Sequence, residues 1–111
     1  MNYMKKLILA LLLTSAVLGV SAQESAVRWY SIEEAVALAQ TRPRHIFVDA
    51  YTDWCGWCKK LDSDTFSNRV IAEILNNRYY AVKFDAEGKE DVTFQGRKFV
   101  NDGSLGKTHQ L

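Results

Sequence analysis

The sequence predicts an α/β fold in which helices pack on a central sheet. Three observations point there. Two apolar, β-branched and aromatic runs, His45 to Tyr51 and Tyr79 to Asp85, are separated by about 27 residues of helical pattern. A Ser31-Ile32-Glu33-Glu34 capping box opens an earlier helix. Two cysteines, Cys55 and Cys58, follow the first strand directly.

Each element has its own cause. After the Ser31 cap, Ile32, Ala35, Val36 and Ala39 recur at helical spacing, so a helix is expected to about Gln40. Pro43 punctuates it, because proline disfavours helix in the residue before it. His45-Ile46-Phe47-Val48-Asp49-Ala50-Tyr51 is almost continuously apolar and reads as a buried strand of the parallel type. Beyond it Cys58, Leu61, Thr65 and Phe66 mark one face of a helix starting near Cys55, and Asn68 opens another whose apolar face is Val70, Ile71, Ile74 and Leu75, with Asn76-Asn77 as its expected stop. Tyr79 to Asp85 closes a strand, helix, strand unit, so the two strands should lie parallel. Val92 to Phe94 and Arg97 to Val100 flank Gln95-Gly96 and can pair as a short hairpin.

The first residues have the order of a signal peptide. Met1 to Lys6 carries Lys5 and Lys6, Leu7 to Val20 is almost wholly apolar, and Val20-Ser21-Ala22 offers small residues to a peptidase, leaving Gln23 as the first mature residue. No cysteine stands there to take a lipid. Fourteen apolar residues rise about 21 Å, short of the ~30 Å that a spanning helix crosses, so no stable membrane anchor is expected after cleavage. Residues 1–22 are therefore read as leader and 23–111 as one small domain of an exported, periplasmic or extracytoplasmic protein. Without Lys5 and Lys6 the 14 basic residues fall to 12 against 13 acidic, a net charge of −1. Nucleic-acid binding, which needs a basic excess, is not expected.

The chemistry lies in Cys55-Gly56-Trp57-Cys58, which holds both cysteines of the chain. Cysteines three apart on a helix are neighbours on one face and can bridge reversibly. At the helix start, Cys55 meets unpaired N–H groups and the positive end of the dipole, which favour its thiolate. Cys55 is thus the expected nucleophile, attacking a substrate disulfide, and Cys58 the resolving thiol. Other readings compete less well. Zinc needs four ligands, and His45 and His109 do not complete a structural site. A purely structural bridge across so short a loop returns only about 2 kcal/mol. No metal and no cofactor are read. Gly103-Ser104-Leu105-Gly106-Lys107-Thr108 ends like a phosphate-binding loop, but Asn101 stands where its first glycine belongs.

Phe47-Val48-Asp49-Ala50-Tyr51-Thr52-Asp53-Trp54-Cys55-Gly56-Trp57-Cys58-Lys59 resembles the strand and active-site junction of the thioredoxin family, with the likeness running from about Ser31 to Asp85 and nearest to exported bacterial members carrying CGWC. The resemblance implies a thioredoxin-like fold and a thiol–disulfide oxidoreductase acting on protein thiols and disulfides, with a redox partner protein, as a monomer. It also implies that Asp49, six residues before Cys55, is the family's buried aspartate, whose charged form burial disfavours and which can accept the proton of Cys58. Lys83 matches the family's lysine on the neighbouring strand; the plainer alternative is a turn-capping Asp49 and a solvated Lys83. Trp54, Gly56 and Trp57 are candidate substrate contacts, although the two tryptophans can equally be packing. Lys59 and Lys60 add positive charge nearby or simply face solvent. The family's cis-proline has no counterpart, since Pro43 lies upstream, and its closing hairpin and final helix are expected to be missing, with Thr108 to Leu111 reading as a helix start. The alternative function is a non-catalytic or truncated thioredoxin-like binding module.

Overall fold

The structure, a computed structural model, describes residues 26–111 together with Tyr3. The expected leader, Tyr3 excepted, and the start at Gln23 lie outside the described residues. The described elements run β1 (Trp29–Tyr30), α1 (Ile32–Thr41), β2 (His45–Tyr51), α2 (Gly56–Leu61), a π turn (Asp62–Phe66), α3 (Arg69–Arg78), β3 (Tyr79–Asp85), β4 (Val92–Phe94) and β5 (Arg97–Phe99). The first three strands form a parallel sheet in the order β1-β3-β2, and β4 and β5 form a separate antiparallel pair. This is the α/β, thioredoxin-like architecture.

Local chemistry sets the boundaries. The Ser31 hydroxyl accepts the Glu34 N–H at 3.1 Å while the Glu34 carboxylate accepts the Ser31 N–H at 2.9 Å, so both halves of the capping box form and α1 starts where the sequence places it. Asn68 caps α3 by accepting from Val70 and Ile71. The helix runs past Asn76-Asn77 to Arg78. Asn76 does not cap it, because its side-chain amide is engaged with the chain leading into β1, accepting from the Arg28 N–H and donating to the Ala26 carbonyl. In the β4–β5 hairpin, Gln95 and Gly96 take φ of 51° and 74°, the two left-handed positions a tight two-residue turn requires.

Alternation along the strands splits the core in two. One face of the sheet gathers Val27, Phe66, Ala72, Leu75 and Ala81 with Trp29 and Phe47, beneath the π turn and α3. The other gathers Ile32, Ala35, Tyr80, Val82 and Val92 against α1 and the hairpin. The hairpin is tied to α1 by the Thr93 N–H, which donates to the Glu33 carboxylate at 2.9 Å.

Three expectations are corrected. β2 is parallel but not buried along its length, since it lies at the edge of the sheet with Val48 48% exposed and only Asp49 fully enclosed. The helix after Cys55 is not one regular α-helix, for it widens into the π turn at Asp62. The last four residues do not begin a helix. His109 is buried instead, with its N–H donating to the Ala86 carbonyl at 2.8 Å and its Nε2 3.0 Å from the Glu90 carbonyl. Asn101 closes that loop by donating to the carbonyls of Glu87, Gly88 and Lys107. β1, two residues long, has no signal of its own in the sequence and exists through pairing with β3.

Candidate active site

The site forms where β2 ends and α2 begins. The Cys55 N–H donates to the Thr52 carbonyl at 3.3 Å, turning the chain out of the strand. Cys55 is the N-cap of α2 with extended backbone, and its sulfur accepts the Cys58 N–H at 3.1 Å, the bond a serine or aspartate oxygen makes at other helix starts. That places Cys55 and Cys58 with Cα atoms 5.3 Å apart, joined as a disulfide. Both cysteines are half-buried.

The tryptophans stand around this bridge rather than in the core, with Trp54 74% and Trp57 81% exposed. Trp54 is nonetheless fixed: its indole N–H donates to the Glu87 carboxylate at 3.1 Å. Gly56, the first residue of α2, is exposed, and a Cβ there would meet nothing within 4 Å. Among the described residues, no contact demands a glycine there. Lys60 pairs with Asp64 at 2.8 Å on the solvent side, a contact worth little, and Lys59 is exposed.

On the strands themselves, sheet register does the positioning. Asp49 of β2 pairs with Lys83 of β3, so the two side chains leave the sheet on one face, two residues beyond Phe47 and Ala81. Asp49 is buried, and the Lys83 ammonium lies 3.0 Å from its carboxylate. The same ammonium is hydrogen-bonded to Asp62 at the start of the π turn. It also sits over the rings of Trp29, Tyr51 and Phe66, at 4.9, 5.3 and 5.6 Å. Burial alone would lower the Lys83 pKa, but the hydrogen bonds it donates to Asp62 and Asp49 more than reverse this and hold it above the ordinary lysine value. Tyr51 is pushed up, first by burial and then by the nearby charges of Asp85 and Asp53.

Thus Cys55, Cys58, Trp54, Gly56 and Trp57 cluster at the strand-to-helix junction, and Asp49 and Lys83 meet as a pair. Asp49 is an ion-pair member rather than a turn cap, and Lys83 is only 24% exposed. Two participants escaped the sequence reading. Asp62 is one helical turn beyond Cys58, a spacing that could have marked it. Glu87 is 33 residues from Trp54, and nothing local announces their contact.

Residues 11–102 match the Thioredox_DsbH family, described as protein of unknown function, DUF255. The chain belongs to that family. Among similar proteins, rat spermatogenesis-associated protein 20 is 31% identical over 81 residues, covering 72% of this chain and 10% of that protein. The uncharacterized protein B0495.5 of Caenorhabditis elegans is 33% identical over 67 residues, 60% of this chain and 9% of that one. The thiol:disulfide interchange protein DsbD of Salmonella typhi is 37% identical over 41 residues, 37% of this chain and 7% of DsbD. The chain thus spans about a tenth of the length of the first of these relatives. No solved structure matches. A thioredoxin-like family with a bridged Cys-x-x-Cys pair points to a redox function.

Proposed function

We propose that this Thioredox_DsbH-family chain is a thiol–disulfide oxidoreductase that exchanges disulfides of exported proteins outside the cytoplasm, in turn with a redox partner protein. The observation that carries the reading is the Cys55–Cys58 disulfide across the first turn of α2, with the Cys55 sulfur at the N-cap. A thiolate there gains from the N–H groups and the dipole, so Cys55 attacks and Cys58, one turn on, resolves. Trp54 and Trp57 offer exposed apolar surface to an extended substrate segment, with open space over Gly56 between them. Asp49, paired with the Lys83 ammonium at 3.0 Å, is the base that accepts the proton of Cys58.

The direct test is equilibration with glutathione buffers followed by acid trapping and mass analysis. Dithiol and disulfide forms should interconvert with the buffer and define one two-electron potential, in which about 30 mV corresponds to 1.4 kcal/mol. Cys55→Ser should abolish turnover of a protein disulfide. A bridge that stays closed across all buffers, or turnover that survives Cys55→Ser, refutes the reading and leaves a binding module.

A further inference from the structure

We propose that Asp62 is a positioning residue for the resolving step: it shares the Lys83 ammonium with Asp49, and so sets how tightly that ammonium is committed to the carboxylate that takes the proton of Cys58. The inference rests on the thiol–disulfide reading above and adds to it a residue and a direction of effect.

The geometry begins on the helix. Asp62 follows Cys58 by four residues, and its backbone N–H donates to the Cys58 and Lys59 carbonyls, so it occupies the same face one turn further on. There the helix widens into the π turn, a device often found at functional sites. The Asp62 side chain meets Lys83, whose other partner is the buried Asp49 at 3.0 Å. The groups around the ammonium are Asp49 and Tyr51 from β2, Asp62 and Phe66 from the π turn, and Trp29 from β1, with Asp53 and Asp85 acting on Tyr51. One positive charge therefore serves two carboxylates. An ammonium committed to Asp49 alone would stabilise its anion more strongly and weaken it as a base.

The step balances. Cys58 Sγ bonds to Cys55 Sγ, the bond between Cys55 and the substrate sulfur breaks, and the substrate leaves as a thiolate. The Cys58 proton passes to the Asp49 carboxylate while Lys83 stays protonated. The two thiols of the chain are oxidised and the substrate disulfide is reduced. Because the sites are coupled, the pH midpoint of this step belongs to the group rather than to one residue. Removing the negative charge of Asp62 lowers that midpoint by two routes of the same sign, directly and by giving Asp49 the whole of Lys83. Removing the positive charge of Lys83 raises it.

The test uses the reduced chain and an aromatic disulfide reagent, dithiobis-nitrobenzoate. One nitrothiobenzoate leaves as Cys55 attacks, and a second leaves as Cys58 resolves. The rate of the second phase is followed against pH. Asp62→Asn should move its midpoint down by about half a unit, roughly a threefold change in rate on the acid limb. Lys83→Met should move it up, and Asp62→Glu should restore the original midpoint. The first phase should change little. Asp62 is 44% exposed, so its loss should leave the fold intact. If Asp62→Asn leaves the midpoint unmoved while Asp49→Asn slows the second phase, Asp62 is a surface ion pair and the inference fails alone. A midpoint that Asp62→Glu displaces as much as Asp62→Asn does has the same meaning. If Cys58→Ser does not remove the second phase, the thiol–disulfide reading itself fails.

Discussion

Replacing Lys83 with methionine should destabilise the chain more than replacing the Asp49 it pairs with, and making both changes should restore part of the loss. Asp49 is 7% exposed and its ammonium partner 24%. Removing one member of a fully dry ion pair leaves a bare buried charge and costs about 3–5 kcal/mol. Solvent reaches Lys83, so we expect about half of that, ~2 kcal/mol, for Lys83→Met. The methionine keeps most of the apolar stem over Trp29 and Phe66, so lost packing adds little. Asp49→Asn leaves no bare charge, because Lys83 still has Asp62 and water, and should cost ~1 kcal/mol or less. In the double variant the orphaned carboxylate is gone, so it should be more stable than Lys83→Met alone. Urea unfolding followed by tryptophan fluorescence resolves the order, since at roughly 1–3 kcal/mol/M a change of ~2 kcal/mol moves the midpoint by about 0.7–2 M with unchanged slope. If Asp49→Asn is the costlier single change, or the double variant loses the sum of the two singles, Asp49 does not depend on Lys83 for compensation and the reasoning is wrong.

Cys55 should react with a limiting alkylating agent before Cys58 at neutral pH, because it is the one at the helix N-cap; peptide mapping that finds Cys58 labelled first or equally would reverse the roles. Ser31→Ala removes one half of the capping box that starts α1 and should cost about 1 kcal/mol in the same urea titration, whereas Ser31→Asp should cost almost nothing. The Lys83 pKa is raised above its ordinary 10.5, so its contribution is complete below that value and disappears as pH climbs through the higher folded value. Wild type should therefore lose stability on the alkaline side above about pH 10.5, and Lys83→Met should show a shallower loss there; parallel alkaline curves for the two proteins would contradict the assignment.

What could be read in the sequence is what local chemistry specifies. The capping box starts α1 and Asn68 starts α3 because each side chain satisfies an N–H within three residues. β2 and β3 emerge with the expected bounds because β-branched and aromatic runs offer the backbone little else. Gln95-Gly96 turns the hairpin because its two positions tolerate positive φ. The misses are non-local. β1 holds two residues and exists through its partner strand. The edge position of β2 depends on which strand pairs with which, and its uniform apolar pattern could not distinguish a central strand from an edge with one face part-exposed. The final segment follows from His109 finding the Glu90 carbonyl and the Phe84 ring, partners 19 and 25 residues away.

The candidate site divides the same way, and the division bears on how such sites are built. Cys55 and Cys58 are a local event: four residues at a strand-to-helix junction suffice to bring the sulfurs together. Asp49 and Lys83 need the β2–β3 register, since a slip of one residue would turn Lys83 to the opposite face and leave Asp49 buried without its cation. Hydrophobic alternation fixes that register through Phe47 and Ala81, which face α3 and Phe66 two residues earlier on the same strands. The Asp49–Lys83 pair is therefore positioned by apolar packing, which also supplies the Trp29 and Phe66 rings beneath its ammonium. A change in that packing, such as Phe47→Ala, would reach the redox centre by way of the register.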